Sequence, residues 1–180
     1  MKILFTLICL LLATNHLFTQ PFKPVDEGSE VSFRIKNFGI NVKGSFTGLK
    51  GKIVFNPDSL ASCSFDVTVD AKTISTGIEQ RDNHLRKEEF FDADKYPQIH
   101  FVSTKVTTSD HKNYLFVFGR LTIKGVTKEI SFPFKAVSRG DDYFFEGEFP
   151  LNRRDFNVGG GSITMSDNLT VTLNVLSKKG

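Results

Sequence analysis

Residues 73–103, which read TISTGIEQRDNHLRKEEFFDADKYPQIHFVS, contain a predicted helix followed by the start of a predicted strand. Thr76 and Glu79 have the spacing of a capping box, in which each side chain binds a free backbone N–H of the other residue. Ile78 and Leu85 are seven residues apart, so they share one face of a helix. The first half of the stretch therefore predicts a short helix.

The second half of the stretch is apolar and then extended. Phe90 and Phe91 form an apolar pair after the helix, which we expect to span about residues 77–87. Pro97 stops any helix, and the alternating residues from Ile99 onward begin a strand. The stretch is thus a helical insert with an aromatic clamp, set between two β segments.

Apolar and polar residues alternate along most of the remaining chain. Runs with period two begin at Val31, Phe65, Ile130 and Leu169. One apolar face and one polar face are typical of antiparallel strands that surround a single interior. Glycine, proline, asparagine and aspartate separate the runs as turns. Several strands of similar length with turns between them favour a sandwich or a barrel.

One predicted strand, residues 114–118, breaks this alternation. Leu115 and Val117 share a face with the residues that follow, which leaves Phe116 and Phe118 on the opposite face. Either these two rings lie under the helical insert on the outside of the sheet, or a bulge shifts the register and turns them inward. The sequence leaves both alternatives open.

The first residues, 1–19, have the pattern of a secretory signal peptide. Lys2 precedes an apolar run that is shorter than the roughly 20 residues needed to cross a bilayer. Cys9 lies inside this run without the small residues of a lipoprotein motif, so we expect no lipid anchor. The mature chain, residues 20–180, has a length that suits one domain.

Charge and cysteine content narrow the function classes. The formal net charge of +3 becomes +2 without Lys2. This charge is too small to indicate a protein that binds nucleic acid. Without Cys9, Cys63 has no disulfide partner, and we expect a buried, unreactive thiol. Export without a disulfide favours a bacterial periplasmic or secreted protein over a small eukaryotic secreted domain.

Several motifs resemble those of the YceI-like family. They are Ser75-Thr76-Gly77, Arg81-Asp82-x-His84-Leu85-Arg86, Phe90-Phe91-Asp92, Tyr96-Pro97-x-Ile99-x-Phe101-x-Ser103, Phe33-x-Ile35-Lys36-Asn37, Val42-x-Gly44-x-Phe46, Gly119-x-Leu121-Thr122-Ile123-Lys124-Gly125-Val126-Thr127-Lys128 and Arg154-Asp155-Phe156. The resemblance implies an exported bacterial protein whose lipocalin-like barrel binds polyisoprenoid or related lipids. Many relatives have His where Asn37 stands, so no role for a histidine is carried over.

Alternation and resemblance together predict an all-β fold, a lipocalin-like antiparallel barrel of about eight strands with a short helical insert. Such a barrel is filled by its own side chains or holds one small ligand. Most of its phenylalanines belong to the core. If a cavity remains, its walls are apolar and suit a lipid chain. The residues that we expect to line it are Phe33, Ile35, Phe46, Phe65, Val67, Leu85, Phe90, Phe91, Phe101, Leu121, Phe132, Phe134 and Phe156.

Two basic residues of the predicted helix are candidates for holding a lipid head group. Arg81 or Arg86 could bind a pyrophosphate or carboxylate at the barrel mouth. The alternative is structural. In that case Arg81, Asp82 and His84 tie the helix to adjoining loops through hydrogen bonds.

An enzyme is the competing class. Ser75, His84 and Asp82 could serve a hydrolase, but no nucleophile-elbow motif surrounds Ser75. His84, His100 and Cys63 lack the spacing of metal ligands. We therefore predict no catalytic residue, no metal and no cofactor other than a bound lipid.

A third class is an envelope stress or adhesion factor that acts through its outer surface and has a filled barrel. The sequence leaves open whether two chains pair as a homodimer and which lipid is native. Our prediction is non-catalytic binding of a long apolar ligand inside the barrel, for storage, transport or stress protection in the cell envelope.

Overall fold

The computed structural model describes residues 20–180, and the predicted signal peptide at residues 1–19 lies outside them. The strands are β1 Phe22–Pro24, β2 Glu30–Asn37, β3 Ile40–Phe46, β4 Lys50–Val54, β5 Ser64–Asp70, β6 Gln98–Thr108, β7 Leu115–Ile123, β8 Val126–Arg139, β9 Asp142–Asn152 and β10 Met165–Lys179. The α-helix, α1, spans Glu79–Leu85, and short 3-10 helices span Leu60–Ser62, Ala71–Thr73 and Arg153–Phe156.

The strands close into one antiparallel barrel. β1 and β2 are two parts of one kinked strand and β3 and β4 are parts of the next, because β2 pairs with β3 while β1 pairs with β4. β10 closes the ring by pairing with β9 on one side and with β2 and then β1 on the other. The barrel therefore has eight antiparallel strands in up-and-down order, which confirms the predicted fold class.

Glycine permits the bend between β3 and β4. Gly48 has a φ of +75°, and a Cβ added there would lie 2.8 Å from the Cβ of Asp70. The carboxylate of Asp26 fixes the bend by accepting hydrogen bonds from the backbone N–H of Gly48 (3.0 Å) and of Leu49 (2.9 Å). This bend lets one continuous strand follow the curvature of the barrel wall.

Alternate connections lie at opposite ends of the barrel. One end, called the insert end below, carries the β2–β3 turn, the helical insert between β5 and β6, the β7–β8 turn and the connection from β9 to β10. The other, the closed end, carries both ends of the described chain, where the Gly180 N–H donates to the carbonyl of Pro21 at 3.1 Å.

Aromatic rings fill the closed end. The ring centroid of Phe55 lies 4.9 Å from that of Tyr143 and 5.3 Å from that of Phe145. The centroid of Phe65 lies 5.5 Å from that of Phe134 and 5.3 Å from that of Phe145. All four pairs meet edge to face, the arrangement that aromatic quadrupoles favour. The closed end is thus a packed aromatic floor.

Strand β7 decides between the two alternatives for its phenylalanines. The ladder between β6 and β7 has an irregularity between Ser103 and Lys105, but it does not turn the rings inward. Phe116 and Phe118 lie on the outer face, with 5.3 Å between their ring centroids, and Phe118 is exposed. Of the two alternatives, the one that places the rings on the outer face is therefore right, but the insert covers the barrel end and does not lie over them.

Helix α1 is shorter than predicted and has no capping box. Ile78 is its N-cap, and no side chain caps the helix. The hydroxyl of Thr76 donates to Oδ1 of Asp82 and accepts from Nε of Arg81. It therefore does not accept a hydrogen bond from a backbone N–H at the helix N-terminus. The predicted capping box is therefore wrong. Within residues 20–180, no helix has the length and apolar character to cross a membrane.

Candidate functional site

The barrel encloses an apolar cavity of about 260 Å³. Residues from every strand between β2 and β10 contribute to its wall, together with side chains of the insert and of the connection from β9 to β10. The inward positions are apolar because the strands alternate, and the closed ring brings all of these faces together.

All of the residues expected to line a cavity do lie on its wall. The thirteen are Phe33, Ile35, Phe46, Phe65, Val67, Leu85, Phe90, Phe91, Phe101, Leu121, Phe132, Phe134 and Phe156. Their placement follows from strand parity and from the two aromatic residues that end the insert. That they bind a lipid stays a prediction.

The cavity is closed at one end and open at the other. At the closed end, Ile53, Phe134 and Phe145 are 2%, 4% and 6% exposed. Toward the insert end, the wall residues Ile35 and Met165 are half-buried, whereas Phe156 and Val158 of the connection from β9 to β10 are 1% and 6% exposed. The aromatic floor therefore seals one end, and we place the mouth at the insert end, on the side of the β2–β3 turn.

The insert is fastened across part of this mouth. The Nε of Arg86 donates to the carbonyl of Lys72 at 2.6 Å, and its Nη2 donates to the carbonyl of Ile74 at 3.0 Å. The ring of Phe91 packs edge to face on Phe46, with 5.4 Å between centroids. The insert is thus held at the end of the barrel by backbone hydrogen bonds and aromatic packing.

The two head-group candidates have different positions. Arg81 lies on the cavity wall, and its Nε and Nη2 donate to the side-chain oxygen and the carbonyl of Thr76 at 2.6 and 2.9 Å. Arg86 is not among the wall residues, and its Nη1 donates to the side chain of Asn83 at 2.7 Å. The structural role considered for this cluster is present, while Arg81 is also placed to meet a ligand.

A buried arginine at the mouth was missed by the sequence interpretation. Arg153 is 4% exposed and lines the cavity. Its Nη1 donates to the carbonyls of Val158 and Gly160, both at 2.9 Å, and its Nη2 donates to Asp167 at 2.6 Å. Burial lowers the pKa of Arg153, and Asp167 acts in the opposite direction. Arg153 thus holds the connection between β9 and β10 in place.

The mouth also carries an unpaired polar atom. Asn37 lines the cavity, and its Oδ1 is buried without a hydrogen-bond partner among residues 20–180. Thr76 and Arg81 lie on the same end of the wall. Polar wall residues at the mouth therefore include Asn37, Thr76 and Arg81, and the floor is mainly aromatic.

The polar side chains considered for catalysis or metal binding form hydrogen bonds and ion pairs that stabilise the fold. Asp82 is buried and accepts a hydrogen bond from the backbone N–H of Thr76 at 2.8 Å. His84 pairs with Glu89 at 3.1 Å, and His100 pairs with Asp66 at 2.7 Å. In the described part of the chain, no group of three or more His, Cys, Asp or Glu side chains is arranged to hold a metal ion.

Comparisons with known proteins agree with this architecture. A family model described as the YceI-like domain matches residues 22–176. Protein YceI of Salmonella arizonae is 32% identical over 163 residues, which is 86% of this chain and 84% of that protein. The crystal structure of Burkholderia cenocepacia BcnA has a TM-score of 0.78 at 28% identity and covers 82% of this chain and 95% of its own.

A more distant structure shares the fold alone. It is a polyisoprenoid binding domain from Saccharophagus degradans, with a TM-score of 0.70 at 13% identity, and the likeness covers 89% of this chain and 99% of that one. The family model and the Salmonella protein each match most of the chain. The chain therefore belongs to the YceI-like family.

Proposed function

We propose that the protein binds one long apolar lipid inside the barrel, a polyisoprenoid or a fatty-acid-like or amide-like chain, without altering it chemically. The observation that carries this proposal is the apolar cavity with a sealed aromatic floor and an open mouth. Family membership and the shared fold of a polyisoprenoid binding domain support the same ligand class.

The size of the cavity determines how much of the ligand fits inside it. Its volume of about 260 Å³ lies near the lower limit of roughly 300–1,000 Å³ for small-molecule pockets. We therefore expect the cavity to take a tail segment, while the remaining atoms of the ligand lie in the mouth. Burial of each CH₂ group contributes about 0.8 kcal/mol, so eight carbons give about 6 kcal/mol before the costs of binding.

The head group is expected to orient the ligand more than to hold it. A single hydrogen bond contributes a net 1 kcal/mol or so, much less than the tail. Arg81 on the wall suits an anionic or carbonyl oxygen, and the unpaired Oδ1 of Asn37 suits a hydroxyl or amide donor. Arg86, which lies off the wall, positions the insert in this proposal.

The cellular setting of this proposal is the bacterial envelope. The apolar run after Lys2 supports export, and the matched relative is a bacterial protein. In this setting an apolar cavity that opens at one end would store or carry a molecule that water does not dissolve. The competing function, a surface-acting envelope factor, predicts that nothing enters the barrel.

Organic extraction of the purified protein, followed by mass spectrometry, tests the proposal. We expect about one apolar lipid per chain. Val171→Trp places an indole on the half-buried cavity wall and should exclude the lipid while the barrel stays folded. Phe116→Trp, on the outer face, is the matched control and should retain it. Because the natural chain has no tryptophan, the fluorescence of each variant reports its folding.

Two results would contradict the proposal. One is an extract that contains no lipid, together with failure of the protein to take up a fluorescent fatty acid. The other is equal lipid content in Val171→Trp and Phe116→Trp, which would place the lipid outside the cavity.

A further inference from the structure

The most exposed apolar side chains gather at one end of the barrel. Phe38, Ile40, Ile78 and Ile163 are 74%, 69%, 52% and 105% exposed, and all four belong to the insert end. Every other large apolar side chain in the described residues is less exposed than these four. Scattered apolar residues are ordinary on a surface, whereas a group at one place marks a contact site. These four side chains are called the mouth rim below.

The mouth rim is continuous with the cavity wall. The backbone N–H of Phe38 donates to the carbonyl of Thr164 at 2.9 Å, which joins the β2–β3 turn to the loop that carries Ile163. In the strand register, the wall residue Asn37 lies opposite both Ile40 and Met165. A ligand that leaves the cavity at this side therefore meets the rim before it meets water.

Ile78 extends the rim to the insert. It lies in the chain between Thr76 and Arg81, which both line the cavity. The bridge between Ser45 and Ser75 fastens this segment to the edge of β3, with backbone hydrogen bonds of 2.9 and 3.0 Å. The rim therefore flanks the mouth on the hairpin side and on the insert side.

The backbone at Phe38 is unfavourable for a phenylalanine. Phe38 and Gly39 form a two-residue turn with φ of +51° and +74°. Such turns favour Asn-Gly, because a bulky residue is strained at positive φ. Lys124 and Gly125 form the same kind of turn, with φ of +50° and +74°.

The two turns differ in what their first residue does. The Nζ of Lys124 donates to the carbonyl of Asn157 at 2.9 Å, so its side chain stabilises the insert end. The ring of Phe38 is 74% exposed and buries little within the molecule. Backbone strain at a residue whose side chain packs on nothing in the fold is a reason to look for a functional contact of that side chain.

The charge of the hairpin indicates the chemistry of the partner. Residues 31–46 contain Arg34, Lys36 and Lys43 and no acidic residue. Lys43 is bridged to Glu30 at 2.5 Å, whereas Arg34 and Lys36 form no ion pair within residues 20–180. The loop at 157–166 carries no charge, and on the insert side Ile78 is followed by Glu79, so the free cations of the rim lie on the hairpin side. Each cation held near an anionic bilayer contributes to the binding free energy, and apolar side chains beside it enter the headgroup region.

We propose that the mouth rim docks on an anionic lipid bilayer, with Phe38, Ile40 and Ile163 in the headgroup region and Arg34 and Lys36 beside the lipid phosphates. This inference rests on the proposed lipid-binding function. Docking in this orientation presents the open mouth to the bilayer, so that a tail passes between the membrane and the cavity without crossing water. The partner is thus the membrane surface itself.

Co-sedimentation of the purified protein with lipid vesicles tests this proposal. The probes are vesicles of phosphatidylglycerol and phosphatidylethanolamine in equal parts, and vesicles of phosphatidylcholine alone. We expect binding to the anionic vesicles that weakens as salt is added and is weaker on the neutral vesicles. The triple variant Phe38→Asn, Ile40→Thr, Ile163→Ser should lose about tenfold or more in affinity.

A matched control separates the rim from general surface apolarity. Phe118→Thr removes an exposed aromatic ring from the side of the barrel and should change vesicle affinity by less than about twofold. Arg34→Gln with Lys36→Gln should remove most of the preference for anionic vesicles. Urea denaturation of each variant confirms that the folded proteins are compared.

Several outcomes would overturn the proposal. They are no binding of the natural protein to either kind of vesicle, unchanged affinity of the triple variant, and a self-association that the triple variant abolishes, which would make a second copy the partner. Uptake of a fatty acid delivered as monomer, without vesicle binding, would overturn docking and leave the proposed function standing. Vesicle binding by a protein that takes up no lipid would instead overturn the proposed function.

Discussion

The two ends of the barrel are built from similar apolar residues, but these residues have different neighbours. At the closed end, Phe55, Phe134 and Phe145 contact one another and are almost fully buried. At the insert end, Phe38 and Ile163 face outward. One repeated strand pattern therefore provides both a floor that stabilises the fold and a mouth that is free to bind. Substitutions at the two ends should therefore separate stability from binding.

The largest effect is expected from the aromatic floor. Phe134→Ala removes a ring that is 4% exposed and should cost about 3–5 kcal/mol in the free energy of unfolding. Met165→Ala, on the half-buried wall near the mouth, should cost less than about 1 kcal/mol. Urea denaturation measures both. Equal losses would show that the two ends are packed alike and that the comparison is wrong.

The next effect concerns the arginine that fastens the mouth. Arg153→Ala leaves the carbonyls of Val158 and Gly160 without their donor and should cost about 2–3 kcal/mol. Its exposed neighbour offers the control, since Arg154→Ala should stay within about 0.5 kcal/mol. Hydrogen exchange of residues 157–164 should rise in the first variant alone. A stable Arg153→Ala variant with unchanged exchange would contradict this role.

A smaller effect of opposite sign is expected at the β2–β3 turn. Phe38→Asn relieves a bulky residue at positive φ and should raise the free energy of unfolding by about 1 kcal/mol. The same variant removes part of the mouth rim. A higher urea midpoint combined with weaker vesicle binding would show that Phe38 lowers the stability of the fold and contributes to vesicle binding. A lower midpoint would mean that the ring of Phe38 packs on the protein.

The last effect is a chemical one at the closed end, and it leaves the stability of the fold unchanged. Burial raises the pKa of the Cys63 thiol, and the backbone N–H of Asn56 opposes that shift. Less thiolate is therefore present near pH 8 than in an unfolded chain. Reaction with a disulfide reagent should be about tenfold or more slower in the native protein than in urea. Labelling that is equally fast in both states would show that the closed end opens readily.

The barrel and its wall could be predicted because both depend on local patterns. Alternation assigns Phe33 and Ile35 to one face of a strand, and closure of the ring turns that face inward. No distant contact needs to be known for this inference. Phe90 and Phe91, the aromatic pair after the helix, were expected at the cavity because they form an apolar plug outside any strand, and they lie on its wall.

Features that depend on which side chains meet in the folded loops could not be predicted. The capping box failed because Asp82 and Arg81 bind the hydroxyl of Thr76 once the helix has formed. Arg153 was missed because its acceptors lie five to fourteen residues further along the chain and meet it only in the folded loop. An arginine looks solvent-exposed in a sequence until its buried acceptors are known.

In the proposed complex, the lipid tail enters the barrel and its end reaches the aromatic floor. Nuclear magnetic resonance with a fatty acid that carries a nitroxide near the end of its tail measures this position. We predict stronger broadening of the amide signals of Ile53 and Phe145 at the floor than of those of Phe38 and Gly39 at the β2–β3 turn, at the opposite end of the barrel. Stronger broadening at the turn than at the floor, or no broadening at saturating ligand, would show that the tail does not reach the floor.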